Sequence, residues 1–293
     1  MPLKLNVIDE FSTLDTLILG IATDMNAPGT ANPKSRFHIK HSSYPTQDAV
    51  LNEMDAIERV LLENGVKIFR PQNIKNKTQI FTRDLGFAIG DEFFISSMNE
   101  NRQPEITGIQ YLIDLFDKDK IVDTSTQDGV NIEGGDVIVH NEKVFVGLSG
   151  RTNKEGVEFL RKKLEGKKTV MEIQLIVDRN DHEAHALHLD CVFQPLGKNH
   201  AIIYEDGIKN PEELYKSINL PDDNIYKVNE WQFVSMFTNV LSISNDTVII
   251  EREFIELKYW LLERGFKVIE VNFRQTSRLS GLLRCATLPL IRK

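Results

Sequence analysis

The chain has 293 residues, 41% of them hydrophobic and 27% charged, a mix that can bury a sizeable core and excludes a largely disordered chain. The 43 acidic and 35 basic residues leave a formal charge of -8, which argues against a dedicated nucleic-acid or anionic-membrane binder, since either needs basic excess. Two cysteines are too few for a disulfide scaffold.

No apolar run approaches the roughly 18 residues of a membrane span. The N-terminus, Met1-Pro2-Leu3-Lys4, soon meets Asp9 and Glu10, so it lacks a signal-peptide core. The expected setting is the cytoplasm, with Cys191 and Cys285 as free thiols.

In chain order, a strand at 17–22, a helix at 49–62 and a strand at 66–68 form a degenerate first unit. The stretch 26–46 between them has no obvious element. It carries Arg36, His38, Lys40 and His41 and reads as a lid or a surface loop. A second unit has strands over 85–97 and a helix over 106–116. In the third, Val137-Ile138-Val139 and 144–148 are strands. Val157, Leu160 and Leu164 then mark a helix, and 173–177 is a final strand. The fourth unit has strands at 191–193 and 201–204, a helix from Pro211 and a strand at 225–228. The fifth has strands at 240–243 and 248–250, a helix over 254–264 and a strand at 267–269.

Self-similarity at a period of about fifty residues means a repeat architecture. Five strand–strand–helix–strand units can stack openly or close into a ring, and closure protects the strand edges. The repeats predict one α/β domain over 1–293, not two.

Near the start of successive units stand Asp84, Glu133, His188, Asn239 and Cys285, separated by 49, 55, 51 and 46 residues. In a ring, equivalent positions converge on the axis, so two acids, a histidine and a cysteine meet there. His188 alone is most simply a satisfied structural histidine; its place in the repeat makes it a candidate. His188-Leu189-Asp190-Cys191 leads into a strand, where alternation puts His188 and Asp190 on one face and Cys191 on the other. Cys191 reads as a small core hydrophobe. Cys285 follows a Gly-containing loop and is the candidate nucleophile. A neighbouring positive charge would favour its thiolate, from His188, Arg284 or a cationic substrate.

Glu133-Gly134-Gly135-Asp136 puts carboxylates around a Gly pair that permits positive φ and close backbone approach. Phe81-Thr82-Arg83-Asp84 reads alone as a surface ion pair. Together Asp84, Glu133 and Asp190 make a pocket of negative charges, costly unless a cation binds. A planar guanidinium fits, because it meets carboxylates bidentately. In Gly147-Leu148-Ser149-Gly150-Arg151-Thr152-Asn153, Thr152 or Asn153 serves as a helix N-cap. Arg151 is either solvent-facing or a partner for a substrate carboxylate.

His182, His185 and His188 are spaced by three, which invites a zinc reading. The pattern is not His-Glu-x-x-His and no Cys pair assists, so no metal is expected. The basic run at 161–163 with Lys167 and Lys168 reads as a solvated helix end.

Taken together, these motifs resemble the guanidino-group-modifying, or pentein, superfamily. Its members include arginine deiminases, dimethylarginine dimethylaminohydrolases and glycine amidinotransferases. The resemblance spans nearly the whole chain. It rests on Phe-Thr-Arg-Asp at 81–84, Glu-Gly-Gly-Asp at 133–136, Gly-Leu-Ser-Gly-Arg-Thr-Asn at 147–153, His-Leu-Asp at 188–190 and Cys285. His-Leu-Asp is typical of the deiminases and amidinotransferases, and the 147–153 stretch is similar to the dimethylaminohydrolases. Glu133 stands where the amidinotransferases have Asp. The Cys loop, Gly-Leu-Leu-Arg-Cys-Ala-Thr-Leu-Pro-Leu, departs from the characterised members.

The resemblance implies a five-bladed α/β propeller of pseudo-symmetric ββαβ repeats. It implies Cys285 as nucleophile, His188 as general acid/base, and Glu133 orienting the histidine and binding a guanidinium nitrogen. Asp84 and Asp190 would be further guanidinium-binding acids, and Arg151 would hold a substrate carboxylate. The implied activity is hydrolysis at the guanidinium carbon of arginine or a related guanidine, through a covalent S-amidino intermediate. An amidinotransferase is the runner-up. A non-catalytic binding module is the other class, since this fold also serves as a ribosome-binding translation factor. The expected partner is a small guanidine, with no nucleic acid, membrane, cofactor or metal, and with room for a homo-oligomer.

Overall fold

The computed structural model describes residues 2–26, 33–177 and 186–293. The zinc-like histidines His182 and His185 lie outside them, as do residues 27–32 of the expected lid. Among the described residues, fifteen strands form five three-stranded sheets. The first blade holds β1 (Leu14–Leu19) and β2 (Lys67–Phe69), the second β3 (Gly86–Ile89), β4 (Glu92–Ile95) and β5 (Ile121–Asp123). The third holds β6 (Val137–His140), β7 (Lys143–Leu148) and β8 (Thr169–Gln174). The fourth holds β9 (Phe193–Leu196), β10 (His200–Ile203) and β11 (Ile225–Lys227). The fifth holds β12 (Leu241–Ser244), β13 (Thr247–Glu251) and β14 (Lys267–Val271).

Every blade repeats one topology. Its first strand runs antiparallel to the second through a short turn, and the second pairs parallel with the third. A parallel pair needs a crossover, which the helical segments supply. The first blade lacks its antiparallel strand in sequence order. It is supplied by β15 (Thr287–Arg292), which returns from the C-terminus to pair with β1, Ile18 against Leu288. That return makes the first copy look degenerate in sequence, and it closes the five-bladed propeller.

Three sequence expectations change. The last strand of the third unit is 169–174, not 173–177. Its parallel register sets Val170 against Val144, and Leu175 turns to bridge Ile208 of the next blade. The 106–116 helix is mostly a 3₁₀ stretch, Gln103–Ile109, with one α-turn at Gln110–Ile113. The 26–46 stretch contains a helix, Pro33–Lys40.

The helices follow local chemistry. Thr46 caps Gln47–Glu63 by accepting the Ala49 N–H at 3.3 Å, and Val50, Met54, Ile57 and Leu61 form its buried stripe. Asn153, not Thr152, caps Lys154–Lys163. No helix among the described residues is long and apolar enough to cross a membrane.

Candidate active site

Each blade is preceded by a tight turn at one end of the ring. Three are 3₁₀ turns, Thr82–Leu85, Gly134–Asp136 and Leu189–Cys191. The segments around Thr238–Asn239 and Cys285 complete the set. These turns touch one another in a closed circuit. The Arg83 N–H donates to the Cys285 carbonyl at 3.1 Å. Gly134 packs so closely that a Cβ there would lie 2.1 Å from the Arg83 oxygen. A Cβ on Gly135 would lie 2.7 Å from the His188 ring. Thr238 Oγ1 donates to the Cys191 carbonyl at 2.7 Å, and Asn239 grips Cys285. The Gly-Gly pair is needed for close approach; neither glycine has positive φ.

Asp84, Glu133, His188, Asp190 and Cys285 are all buried. His188 Nε2 is 2.8 Å from Glu133 Oε2, and His188 Nδ1 is 3.8 Å from Asp84 Oδ1. Burial alone would push the imidazole down, but Asp84, Asp136 and the Glu133 bond outweigh it and raise His188 to about 10. Burial likewise pushes Glu133 up, while His188, Arg151 and Arg102 bring it down to about 2. The pair therefore sits as imidazolium and carboxylate.

The Cys285 thiol donates to Asp190 Oδ2 at 3.5 Å. Burial, then Asp190 and Asp84, hold the thiol well above its ordinary value. Arg284, one of three candidate cations for the thiolate, donates to Asp190 Oδ2 at 2.8 Å and to Glu10 at 3.0 Å. Cys191 packs in the main core cluster. The 188–191 segment is a turn, so strand alternation is not what separates its side chains.

Each acid already carries a protein cation. Arg102 Nη1 is 2.5 Å from Asp84 Oδ2, Arg151 Nη1 is 3.3 Å from Glu133 Oε1, and Arg284 holds Asp190. Arg83 pairs with Glu10, not with Asp84. One acceptor is left over. Asp84 Oδ1 is buried with no hydrogen-bond partner among the described residues. An orphaned buried carboxylate oxygen is costly unless something donates to it. Asp84, Glu133 and His188 each offer an atom within 4.8 Å of the others, a set that a metal ion could also use. Glu133 and His188 already satisfy each other, and the remaining acceptor suits an N–H donor.

Outside these groups, a cleft of 230 Å³ is lined by Ser97, Asn99, Asn131, Arg151 and Asn153 and reaches Glu133. Behind them Asp136 accepts from Ser149, Thr152 and the Leu189 N–H, at 2.7, 2.7 and 2.9 Å. Burial raises this carboxyl to about 7 despite those donors. Arg102 was not marked by any motif, and Asn239 showed only as a repeat position.

Comparison with known proteins agrees with this geometry. A Bacillus subtilis (strain 168) protein named Uncharacterized protein YkgA is 32% identical over 289 residues, covering 97% of this chain and 94% of that one. An arginine deiminase of Bacillus thuringiensis subsp. konkukian (strain 97-27) is 28% identical over 256 residues, 73% of this chain. The match spans 61% of the deiminase's length. The fold is shared with SxtG, an amidinotransferase from Microseira wollei, at a TM-score of 0.80 and 20% identity over 99% of this chain and 97% of that one. A family model described as "N,N dimethylarginine dimethylhydrolase, eukaryotic" matches residues 24–292, and the chain belongs to that family, within the pentein superfamily of guanidino-modifying proteins.

Proposed function

We propose that the chain hydrolyses the guanidinium group of arginine or a related guanidine, with Cys285 as nucleophile. The observation that carries this reading is the unpartnered, buried Asp84 Oδ1, 3.8 Å from the ring of a cationic histidine. It is an acceptor awaiting a planar N–H donor.

The chemistry follows from the charges. Arrival of a guanidinium offsets Asp84 and Asp190, which otherwise disfavour the thiolate, and the thiol proton leaves to solvent. The Cys285 sulfur forms a bond to the guanidinium carbon. His188, held protonated by Glu133 and Asp84, gives its proton to the departing nitrogen as the C–N bond breaks. Ammonia or an amine leaves, and a cationic S-amidino group remains on Cys285. The now neutral His188 takes a proton from water, whose oxygen attacks the same carbon. The C–S bond breaks and returns the thiolate. The ureido product goes free, and its surplus proton goes to the released amine. Splitting one displacement into two in this way is the gain of covalent catalysis. Arg151, 28% exposed at the mouth, would meet a substrate carboxylate.

Transfer to an amine is the second reading. The polar cleft beside Glu133 and Arg151 gives an acceptor amine a route to the same intermediate in place of water.

The test is a product assay on arginine, methylated arginines, agmatine and guanidino acids, with and without amine acceptors, beside Cys285→Ala. Ureido product that vanishes in the variant supports hydrolysis. Product only with an acceptor supports transfer. A wild-type rate in Cys285→Ala overturns the nucleophile.

A further inference from the structure

Asn239 sits in the turn that opens the fifth blade and is fully buried. Its amide touches Cys285 twice. Oδ1 accepts the Cys285 N–H at 3.1 Å, and Nδ2 lies 3.1 Å from Cys285 Sγ. The orientation is fixed by chemistry. A backbone N–H can only donate, so the atom facing it must be the carbonyl oxygen. The NH₂ is thereby aimed at the sulfur. Nδ2 also lies 3.5 Å from the Asp190 carbonyl, and Thr238 Oγ1 donates to the Cys191 carbonyl at 2.7 Å. These contacts anchor the segment to the turn that carries Asp190.

The carboxylates around the sulfur oppose a thiolate, while the Lys34 ammonium acts in the opposite sense. Asp190 Oδ2 is 3.5 Å away and accepts from the thiol, which stabilises S–H. Asp84 adds negative charge, and the thiol is buried. Arg284, the adjacent cation, is spent on Asp190 and Glu10.

We propose that Asn239 is the thiolate-stabilising residue of this site: its amide donates to the Cys285 sulfur and, by gripping the Cys285 backbone, keeps the sulfur aimed at the reacting carbon. A hydrogen bond to an ionised acceptor is roughly twice as strong as a neutral one, so the donor favours S⁻ over S–H. Aspartate in the same place would remove the donor and set a further anion against the sulfur. This deepens the reading of Cys285 as nucleophile and rests on it.

The test needs no guanidine. Alkylation of Cys285 by iodoacetamide is followed against pH by mass spectrometry, with Cys191 resolved separately, in the full-length wild type and in Asn239→Ala and Asn239→Asp. The inflection moves to higher pH by about one unit or more, a tenfold change in thiolate population, in Asn239→Ala and further in Asn239→Asp. If Asn239 only holds the backbone, Asn239→Ala loosens the loop, and alkylation speeds up at every pH with the inflection unmoved. That outcome overturns the proposal. If the Ala and Asp variants do not fold, Asn239→Leu, close in shape and without a donor, is titrated instead, and an inflection matching wild type counts against it in the same way. Silence on the guanidine panel with a shifted inflection overturns the proposed activity alone. Turnover with an unshifted inflection overturns the role of Asn239 alone.

Discussion

Glu133 Oε2 and His188 Nε2 lie 2.8 Å apart with both side chains buried, and the other ring nitrogen faces Asp84. Only Nε2 is hydrogen-bonded; Asp84 acts on the ring through its charge, and the two carboxylates together favour the imidazolium. His188, raised to about 10 from an ordinary 6.5, contributes stability fully present below pH 6.5 and lost as pH rises through 10. Glu133, lowered from 4.5 to about 2, contributes stability present above pH 4.5 and lost as pH falls through 2. Glu133→Gln should therefore lower the His188 pKa, read by NMR of the ring nitrogens. It should reduce kcat by roughly 10²–10⁴, the usual worth of general acid–base catalysis. The Tm gap to wild type should be widest between pH 4.5 and 6.5 and narrow toward pH 2. A gap independent of pH would deny that the two groups titrate as a pair.

Gly135→Ala tests how the histidine is positioned. The added Cβ would stand 2.7 Å from Cγ and Nδ1 of His188. The turn is tied by the Asp136 N–H to the Glu133 carbonyl at 3.0 Å, so the ring moves, not the backbone. A misplacement of about 1 Å can lower a rate about 10²-fold. Gly90→Ala is the contrast. It has φ +60° with nothing within 4 Å of the new atom. That variant should lose about 1–2 kcal/mol of stability for left-handed backbone and keep its kcat. Equal kcat losses in the two variants would sink the steric account.

Much of this was legible before the structure. The fifty-residue period named the converging positions because each blade opens with the same kind of turn. Spacing alone thus brought Asp84, Glu133, His188 and Cys285 to one end of the ring. The partners of those residues were not legible. Arg102 reaches Asp84 from a loop with no periodicity, and Arg284 looked like the cation for its own neighbour until the fold turned it toward Glu10. Sequence neighbours share no direction in a turn, and ion pairs across 274 residues leave no local trace. The partners of Asp190 were hidden for the same reason. It was read as a guanidinium-binding acid, and one of its oxygens also serves both Arg284 and the Cys285 thiol.

Arg284 is 1% exposed between Asp190 and Glu10 and also donates to the Val137 carbonyl at 2.9 Å. Replacing it by Met leaves Asp190 without its cation and Glu10 with only the more distant Arg83, at 3.6 Å. Breaking a buried pair from one side costs about 3–5 kcal/mol. Arg284→Met should therefore lower stability by at least that much in chemical denaturation. Arg284→Lys should recover only part of it, since a point charge cannot span two carboxylates and a carbonyl. A loss under 1 kcal/mol for the Met variant would show that this network does not hold the site's floor.

Closure of the ring by the C-terminal strand makes the nucleophile dependent on the N-terminus. Cys285 lies two residues before β15 (Thr287–Arg292), which pairs antiparallel with β1 and is also bonded to the backbone of Asn6. Ile18 and Leu288 are register partners, both fully buried in one apolar cluster. Ile18→Ala and Leu288→Ala should each lower stability by about 2–5 kcal/mol. If the two halves of the closing sheet act as one unit, the second substitution removes contacts the first has already broken. The double variant should then lose less than the combined single losses, by about 0.5–3 kcal/mol. Each single variant should also loosen Cys285, speeding its alkylation relative to Cys191 well below the unfolding transition. Strict additivity with unchanged Cys285 labelling would mean that the strand closes the ring without governing the loop that carries the thiol.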